Sequence, residues 1–151
     1  MIVFLDTNIA IDALQNRHPF ANSAKMMLAL GYMREFSIQI SASQFTDAFY
    51  LLSGGGKKSL APGAKAALKT LRKAVTVASF HDEEIDRALN SPWDDFEDAC
   101  VYQCAVSAKA DVIVTRNQKD FEKSAIPVMD CDEFFAYLEQ EKGLVYDFIQ
   151  L

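Results

Sequence analysis

The sequence contains few of the residues and segments that define several common protein classes. It has only two histidines, His18 and His81, and three cysteines, an odd number without the spacing of a disulfide framework. We therefore expect a reduced compartment, and no pairing of histidine with serine or cysteine is evident for nucleophilic catalysis. No apolar run approaches the roughly 20 residues of a membrane span, and the N-terminus has no basic leader. These absences predict a cytoplasmic protein without membrane segments.

The spacing of two cysteines raises the question of a soft metal site. Cys100 and Cys104 lie one helical turn apart, but no further cysteine or histidine completes a set of four ligands. We therefore interpret both as small apolar residues of a helix, which is common for free cysteines.

Positive charge is also scarce. The chain has 21 Asp and Glu residues against 15 Lys and Arg residues, which gives a net charge of −6. The field of the whole protein would repel a polyanion such as nucleic acid. This argument loses its force where carboxylates are concentrated around a divalent metal, because the metal then binds the substrate phosphate. The charge balance is therefore informative only once the acids are located.

Short β-branched runs alternate along the chain with longer amphipathic stretches, which is the pattern of a parallel α/β sheet. The predicted strands are 2–6, 37–41, 75–80, 112–115 and 127–130, and the predicted helices include 20–36, 45–52, 64–74 and 95–109. The first and fourth strands are almost continuously apolar, as expected where helices cover both faces of a sheet. The sequence predicts a three-layer α/β/α sandwich with a central, mainly parallel sheet of about five strands. We place this domain at residues 1–140 and an apolar C-terminal extension, packed or in a dimer contact, at 141–151.

Two further segments have features of phosphate-binding elements: one is rich in glycine and the other in basic residues. The glycine-rich segment 54–59 follows a predicted helix rather than a strand and lacks the spacing of a P-loop, so we interpret it as a mobile connection. The following helix places four basic residues close together. Both a solvated face and a contact with a substrate backbone remain open for this group, which consists of Lys65, Lys69, Arg72 and Lys73.

Four aspartates lie where predicted strands give way to helices. Asp6 ends the first strand, Asp47 lies early in the helix after the second, and Asp98 lies in the first turn of the helix opened by Asp95. Asp120 lies where the fourth strand turns into its following helix. Because crossover helices run antiparallel to the strands, the carboxyl ends of strands and the amino ends of helices share one edge of the sheet. We therefore expect the four carboxylates to converge at that edge.

Such a cluster of carboxylates indicates a metal ion. Like charges and desolvation both raise carboxyl pKa values, so the cluster is unfavourable unless a cation neutralises it. Oxygen ligands suit Mg²⁺ or Mn²⁺, which keep several waters and accept a substrate phosphate as a further ligand. The ion activates water as the nucleophile and stabilises the charge that develops during attack on a phosphodiester. Helix capping competes with metal binding at Asp6, but capping there would not explain the other three acids.

Four polar residues beside these acids are expected to support them. A hydroxyl at Thr115 and amides at Asn8 and Asn117 can hold neighbouring carboxylates, although ordinary turn capping is the simpler alternative. Asp95 lies one turn before Asp98 on the same helical face. Glu97 is interpreted as a surface acid that points away from Asp98, because adjacent helical residues do not share a face.

Four ordered motifs form a family pattern at this point. They are Leu5-Asp6-Thr7-Asn8, Ile40-Ser41-Ala42 with Asp47, Asp95-Phe96-Glu97-Asp98-Ala99, and Val114-Thr115-Arg116-Asn117 with Asp120-Phe121. From residue 2 to about residue 138 the chain resembles the PIN-domain family, particularly the bacterial toxin ribonucleases of the VapC type.

The resemblance implies a function and a set of site residues. It assigns the acidic metal positions to Asp6, Asp47, Asp98 and Asp120, and the polar support to Thr115 and Asn117. The second acid is more often glutamate in the family, so the shorter Asp47 makes contact through water plausible. The family further implies cleavage of RNA with Mg²⁺ or Mn²⁺, a homodimer, and an antitoxin protein that covers the active-site groove. We therefore expect an endoribonuclease that is the toxin of a type II toxin–antitoxin pair.

Three alternatives remain open at this stage. The first is a non-catalytic PIN-like module that binds RNA or a protein partner. The second is a nuclease of the same fold that cuts DNA, since metal and phosphate chemistry do not depend on the 2′-hydroxyl. The third is a haloacid-dehalogenase-like phosphatase, which is disfavoured because Asn8 replaces its second aspartate and no catalytic lysine is evident.

Overall fold

The computed structural model describes residues 1–146, which form five strands, seven α-helices and two 3₁₀ segments. The strands are β1 (Ile2–Leu5), β2 (Ser37–Ser41), β3 (Val75–Ala78), β4 (Val112–Val114) and β5 (Val128–Met129). The helices are α1 (Thr7–Leu14), α2 (Ala21–Tyr32), α3 (Ala42–Leu52), α4 (Ala61–Ala74), α5 (Asp82–Leu89), α6 (Phe96–Ser107) and α7 (Cys131–Lys142). The 3₁₀ segments are Lys58–Leu60 and Gln118–Phe121.

All five strands run parallel in one sheet, in the order β3-β2-β1-β4-β5. The central strand β1 pairs Val3 with Ile38 of β2 on one side and with Val112 of β4 on the other. The chain builds outward from β1 through β2 and β3, then returns to the other side of β1 for β4 and β5. Ligands of open α/β sheets bind beyond the carboxyl ends of the strands at such a switch point. The junction of β1 and β4 is therefore the favoured location for a site.

Alternate side chains of β1 enter two separate hydrophobic cores. Val3 and Leu5 pack in the core that contains residues of α1, α2 and α7. Phe4, on the opposite face of the sheet, packs with Val101 and other residues of α6. Because both faces of the sheet are covered by helices, the predicted three-layer α/β/α sandwich is confirmed.

The sequence-based prediction captured the strands better than the helices. Every observed strand lies within its predicted range. Helices α1, α5 and α7 were missed, and α3 and α4 each begin three residues earlier than expected. The early start of α3 follows from a capping box between Ser41 and Gln44, and that of α4 from Pro62 in its first turn. Helix α1 was not predicted because it has only eight residues, a length over which helix propensity is weak, and it follows β1 without an intervening turn signal.

The glycine-rich segment has a structural role of its own. Gly54, Gly55 and Gly56 all have positive φ angles, of 62°, 87° and 88°. Side chains other than glycine rarely adopt this conformation, so the turn from α3 to the next 3₁₀ segment requires these glycines. The segment leaves a helix rather than a strand, as the sequence indicated.

The last described residues leave α7 and return to the domain. Gly143 ends α7 in the left-handed conformation, and the Tyr146 hydroxyl donates a hydrogen bond to Glu35 at 3.3 Å. Residues 147–151 of the predicted C-terminal extension lie outside the described residues, so the division of the chain after residue 140 stays a prediction. Within residues 1–146, no helix has the length and hydrophobicity needed to cross a membrane.

The close packing of α2 against β2 yields a test of the fold. A Cβ atom on Gly31 would meet the Ile38 side chain and lie 3.0 Å from the Ala74 carbonyl oxygen. We expect Gly31→Ala to lower the free energy of unfolding by about 1–3 kcal/mol through overpacking. Gly63, in the first turn of α4, has no such neighbour within 4 Å, so Gly63→Ala should raise it by about 0.5 kcal/mol. Urea unfolding measures both, and equal effects of the two substitutions would contradict this packing.

Candidate active site

Asp6 lies immediately beyond β1, where it caps α1. Its carboxylate accepts hydrogen bonds from the Thr7 backbone N–H at 2.7 Å, the Asn8 side-chain amide at 2.8 Å and the Thr115 hydroxyl at 2.7 Å. These bonds use three of the roughly four acceptor positions of a carboxylate. Burial raises the pKa of Asp6, although the hydrogen bonds from Thr115 and Thr7 oppose the shift. The Asp6 carboxylate is thus rigidly held, and its oxygens can still coordinate a cation or accept a further hydrogen bond.

The pairing of β1 with β4 places Thr115 beside Asp6, so that its hydroxyl can contact the Asp6 carboxylate. The backbone N–H of Asp6 donates to the Val114 carbonyl at 2.9 Å, so Thr115 lies beside Asp6 at the adjoining strand end. Thr115 is fully buried, and its hydroxyl also accepts a hydrogen bond from the Asn117 backbone N–H at 3.0 Å. The sequence-predicted residues Asn8 and Thr115 therefore both contact the carboxylate of Asp6.

Asp98 lies in the first turn of α6, which Asp95 caps. The Asp95 carboxylate accepts the Asp98 backbone N–H at 2.9 Å and so sets the start of the helix. Burial is the largest cause that raises the pKa of Asp98, and the carboxylates of Asp95, Asp6 and Asp120 raise it further, to about 7. Carboxylates from segments far apart in the sequence therefore act on Asp98 together.

Asp120 lies in an exposed position on the 3₁₀ segment Gln118–Phe121. The regular helix expected after β4 is absent there, and only this short segment connects β4 towards β5. The negative charge of Asp120 raises the pKa of both Asp6 and Asp98. It therefore belongs to the same electrostatic environment as those two acids.

Asp47 is half-buried in the second turn of α3, because that helix begins at Ala42. Burial raises the pKa of Asp47. Glu97 lies near it, since burial first and then the charges of Asp47, Asp95 and Asp6 raise the pKa of Glu97. Glu97 is exposed, as expected of a surface acid, but it interacts with acids other than Asp98 and so contributes to the acidic edge. Its position in the first turn of a helix that starts at the acidic edge was the signal for it in the sequence.

Asn117 differs from the other predicted supporting residues. It is exposed, and its side-chain amide makes no hydrogen bond with any residue in the described range 1–146. Only its backbone N–H reaches the site, through Thr115. A role for the Asn117 side chain therefore stays a prediction.

Gln44 is a structural residue of the site that the sequence analysis missed. It is buried, and its side-chain amide donates to the Leu5 carbonyl at 2.9 Å and to the Thr7 hydroxyl at 3.2 Å. Its amide oxygen accepts the Ser41 backbone N–H at 2.9 Å. Gln44 thereby ties the start of α3, which carries Asp47, to the junction of β1 and α1. The Ser-x-x-Gln spacing of a capping box was the sequence signal.

A buried ion pair joins α1 to the loop after β4. Arg116 Nε lies 2.6 Å from Asp12 Oδ2, and the Asp12 side chain is fully buried. The guanidinium also lies over the Phe20 ring, 4.4 Å from its centroid. The pair joins the loop that contains Thr115 to α1. Removal of either partner would leave a buried charge unpaired, which is strongly destabilising.

A cleft of about 220 Å³ opens at the acidic edge, between the loop before α6 and the 3₁₀ segment after β4. Two of the four predicted acids, Asp98 and Asp120, line it, whereas Asp6 and Asp47 do not. Its walls consist of Trp93, Asp94, Asp95, Asp98, Lys119, Asp120, Glu122 and Lys123.

The donor set at this edge fits a hard divalent cation in its chemistry. All the candidate ligands are carboxylate oxygens, which Mg²⁺ and Mn²⁺ prefer. The pKa of Asp98 rises to about 7 through burial first and then through the negative charges of the neighbouring carboxylates, which a bound cation would offset. Within residues 1–146, no three His, Cys, Asp or Glu side chains are arranged as a ready ligand set.

Comparison with known proteins places this geometry in context. The family model described as PIN domain matches residues 2–119. The chain is similar to the structure of VapBC2 from Rickettsia felis bound to a promoter DNA fragment, at 17% identity and a TM-score of 0.64, over 86% of this chain and 98% of that one. It is similar to DNA-bound VapBC from Salmonella typhimurium at 18% identity and a TM-score of 0.64, over 87% and 98% of the two chains.

A third similar structure is that of VapC20 from Mycobacterium tuberculosis, described as a toxin that cleaves the sarcin–ricin loop. It shares 18% identity with this chain at a TM-score of 0.58, over 74% of this chain and 86% of that one. No curated protein matches the chain. At these identities, the likeness to solved structures establishes a common fold.

The raised pKa of Asp98 predicts a pH-dependent stability. The folded state binds the Asp98 proton more tightly than the unfolded state does, so the stabilising contribution is complete below the ordinary pKa of 3.8 and is lost as pH rises through about 7. In EDTA, we expect Asp98→Asn to become progressively more stable than wild type across that pH range. Urea unfolding at stepped pH values measures the difference. Asp86→Asn, which removes an exposed carboxylate from α5, is the matched control, and an equal pH response in both variants would contradict the prediction.

Proposed function

Because this chain belongs to the PIN-domain family, we propose that it is a Mg²⁺- or Mn²⁺-dependent endoribonuclease and the toxin of a type II toxin–antitoxin pair. One observation carries this proposal. Asp6 and Asp120, from two other segments of the chain, lie near enough to Asp98 to contribute to a pKa of about 7 for its carboxyl group. Acids with such mutual repulsion at a sheet edge are expected where a divalent cation binds.

The residues of the site divide into ligands and supports. Asp6, Asp98 and Asp120 would hold the metal, and Asp47 would contact it through water. A bound divalent ion supplies an activated water and offsets the charge that develops on the phosphate. Thr115 and Asn8 hold the carboxylate of Asp6 in one orientation through hydrogen bonds of 2.7 and 2.8 Å.

Water is the favoured nucleophile because the protein offers no activated one in its described part. The three cysteines are free and buried, and burial raises the pKa of Cys104 and of Cys131 to about 12. These thiols are therefore protonated at neutral pH. Cys100 and Cys104 behave as apolar residues of α6, as expected from the sequence.

RNA is the proposed substrate on the basis of the similarity to VapC20, which is described as cleaving the sarcin–ricin loop. DNA is the alternative, because carboxylates and metal do not read the 2′-hydroxyl. Cleavage of RNA and single-stranded DNA of matched sequence separates the two.

An antitoxin protein and a second copy of the chain are the proposed partners, and the cytoplasm is the proposed location. Similarity to structures of VapBC assemblies supports the antitoxin. Exposed apolar side chains on α3 and the following 3₁₀ segment add to this, with Tyr50 at 61%, Leu51 at 48% and Leu60 at 45% exposure. Apolar side chains exposed close together are typical of protein–protein contacts.

A non-catalytic PIN-like module that binds RNA or protein is the second candidate function. The observation in its favour is that no ready metal ligand set exists among residues 1–146. Metal binding and cleavage distinguish it from the nuclease.

Metal binding should stabilise the folded chain. An ion that binds only the native state adds about 2.7 kcal/mol at a hundredfold excess over its dissociation constant. We expect the melting temperature of wild type to rise with Mg²⁺ and with Mn²⁺, and that of Asp98→Asn to rise much less. Asp86→Asn controls for the lost charge. Equal shifts of the melting temperature in all three proteins would show that Asp98 does not bind the metal.

Cleavage should depend on Asp6. Asp6→Asn keeps nearly the same shape but removes one negative charge from the site, and we expect it to lower the rate about 10²-fold or more. The measurement is cleavage of an unstructured RNA by folded wild type and by folded Asp6→Asn, with EDTA as the control. Full activity of wild type in EDTA, or of the variant, would refute the mechanism. Absence of any cleavage would favour the binding module.

A further inference from the structure

The charge of the chain leaves the binding of RNA to a few local groups. With a net charge of −6, the protein as a whole repels a polyanion. The cleft at the acidic edge nevertheless contains two cations, Lys119 and Lys123, in its walls beside Asp98 and Asp120. They are the two basic residues among the side chains that line this cleft.

The two lysines differ in what they already contact. Lys123 donates a hydrogen bond to the Pro92 carbonyl at 2.5 Å and lies 3.5 Å from an Asp94 carboxylate oxygen, so it joins the two walls of the cleft. Lys119 is exposed and forms no ion pair with any described residue. Its ammonium group is therefore available to an external anion.

The same cleft contains a rigid aromatic surface. The Trp93 ring stacks on Tyr102 with a centroid distance of 4.8 Å, and meets Phe121 edge to face at 5.5 Å. Trp93 remains partly exposed and lines the cleft. Because Tyr102 and Phe121 already fix the indole, stacking of a ligand on it would cost little side-chain entropy.

We propose that this cleft seats one nucleotide of single-stranded RNA next to the scissile bond, with a base against Trp93 and a backbone phosphate on Lys119. This inference rests on the proposed ribonuclease function and adds the contacts that hold the substrate. A phosphate on Lys119 lies beside Asp120, and a base against Trp93 lies beside Asp98, so both contacts border the acids.

Single-stranded nucleic acid fits these walls better than a double helix or an acidic peptide does, and RNA is the strand that the proposed function requires. Bases within a double helix are stacked on each other and have no face to offer Trp93, whereas unpaired bases do. An acidic peptide would meet the carboxylates of Asp94, Asp95 and Glu122 without a stacking partner for the indole. Stacking of bases on aromatic side chains is also a feature of sequence-tolerant binding to single strands.

Trp93 provides a direct measurement, because it is the only tryptophan of the chain. We expect titration of an unstructured RNA oligonucleotide into folded Asp6→Asn protein with Mg²⁺ to quench its fluorescence. An oligomer of abasic sugar phosphate should leave the emission unchanged, since it has no base to stack. The wild-type protein is assayed for cleavage of the same RNA in parallel.

Lys119 is tested through the salt dependence of binding. Release of one phosphate contact from a single strand lowers the slope of log affinity against log salt by about 0.7. We expect this loss in Lys119→Ala on the Asp6→Asn background, and its recovery in Lys119→Arg. Lys142→Ala is the matched control, because this exposed lysine lies in the last turn of α7, at the far end of that helix from the carboxyl end of β5. Melting temperatures verify that all variants are folded.

The outcomes separate the cleft from the nuclease activity. If wild type cuts RNA while the Trp93 emission does not respond and Lys119→Ala matches Lys142→Ala, the cleft assignment is wrong and the ribonuclease proposal stands. Quenching by an acidic peptide but not by RNA also overturns the assignment. If wild type neither cuts nor binds RNA, both proposals fail.

Discussion

The burial of one carboxylate, that of Asp6, is the constraint on which the rest of the site depends. A buried carboxylate is costly unless hydrogen bonds satisfy it, and the partners of Asp6 come from its own helix start and from Thr115 across the sheet. Thr115 reaches it only because β1 and β4 pair in parallel with their ends level. Gln44 and the Asp12–Arg116 pair then hold the neighbouring elements against this junction. The switch point of the sheet, beside which Asp6 lies, is therefore held by contacts from several elements of the fold.

The mutual repulsion of the acids supports the proposal that a divalent cation binds at this edge of the sheet. Each carboxylate is placed by its own backbone element, and the elements are fixed by the cores on both faces of the sheet. The acids therefore stay close enough to interact, and their charges add to the effect of burial in raising the pKa of Asp98. The cations beside them are few, so a substrate phosphate is expected to depend on a metal and on single lysines such as Lys119. This division would reconcile a net charge of −6 with the proposed polyanionic substrate.

Much of the fold was predictable because its signals are local. Apolar runs such as Ile2–Leu5 identify buried strands, and their alternation with helices implies the parallel sheet and its ligand-binding edge. The short helices α1 and α5 were missed because propensity is weak over eight residues and tertiary packing decides them. The supporting role expected of the Asn117 side chain stays a prediction: it makes no hydrogen bond within residues 1–146, since neither capping nor the strand order fixes an exposed rotamer.

The sequence by itself determined the fold class, the family pattern and the set of aspartates that topology would bring to one edge. Only the tertiary structure decided which of these acids interact: Asp6, Asp98 and Asp120 share one electrostatic environment, and Asp47 lies beside Glu97. It also decided that Trp93 and Lys119 border the acids in one cleft. The physical reason is the distance along the chain over which each interaction acts. Hydrophobic periodicity and capping act between residues that are near neighbours in the sequence. Burial and Coulomb interactions act between atoms that are close in space, and these depend on how the helices pack on the sheet.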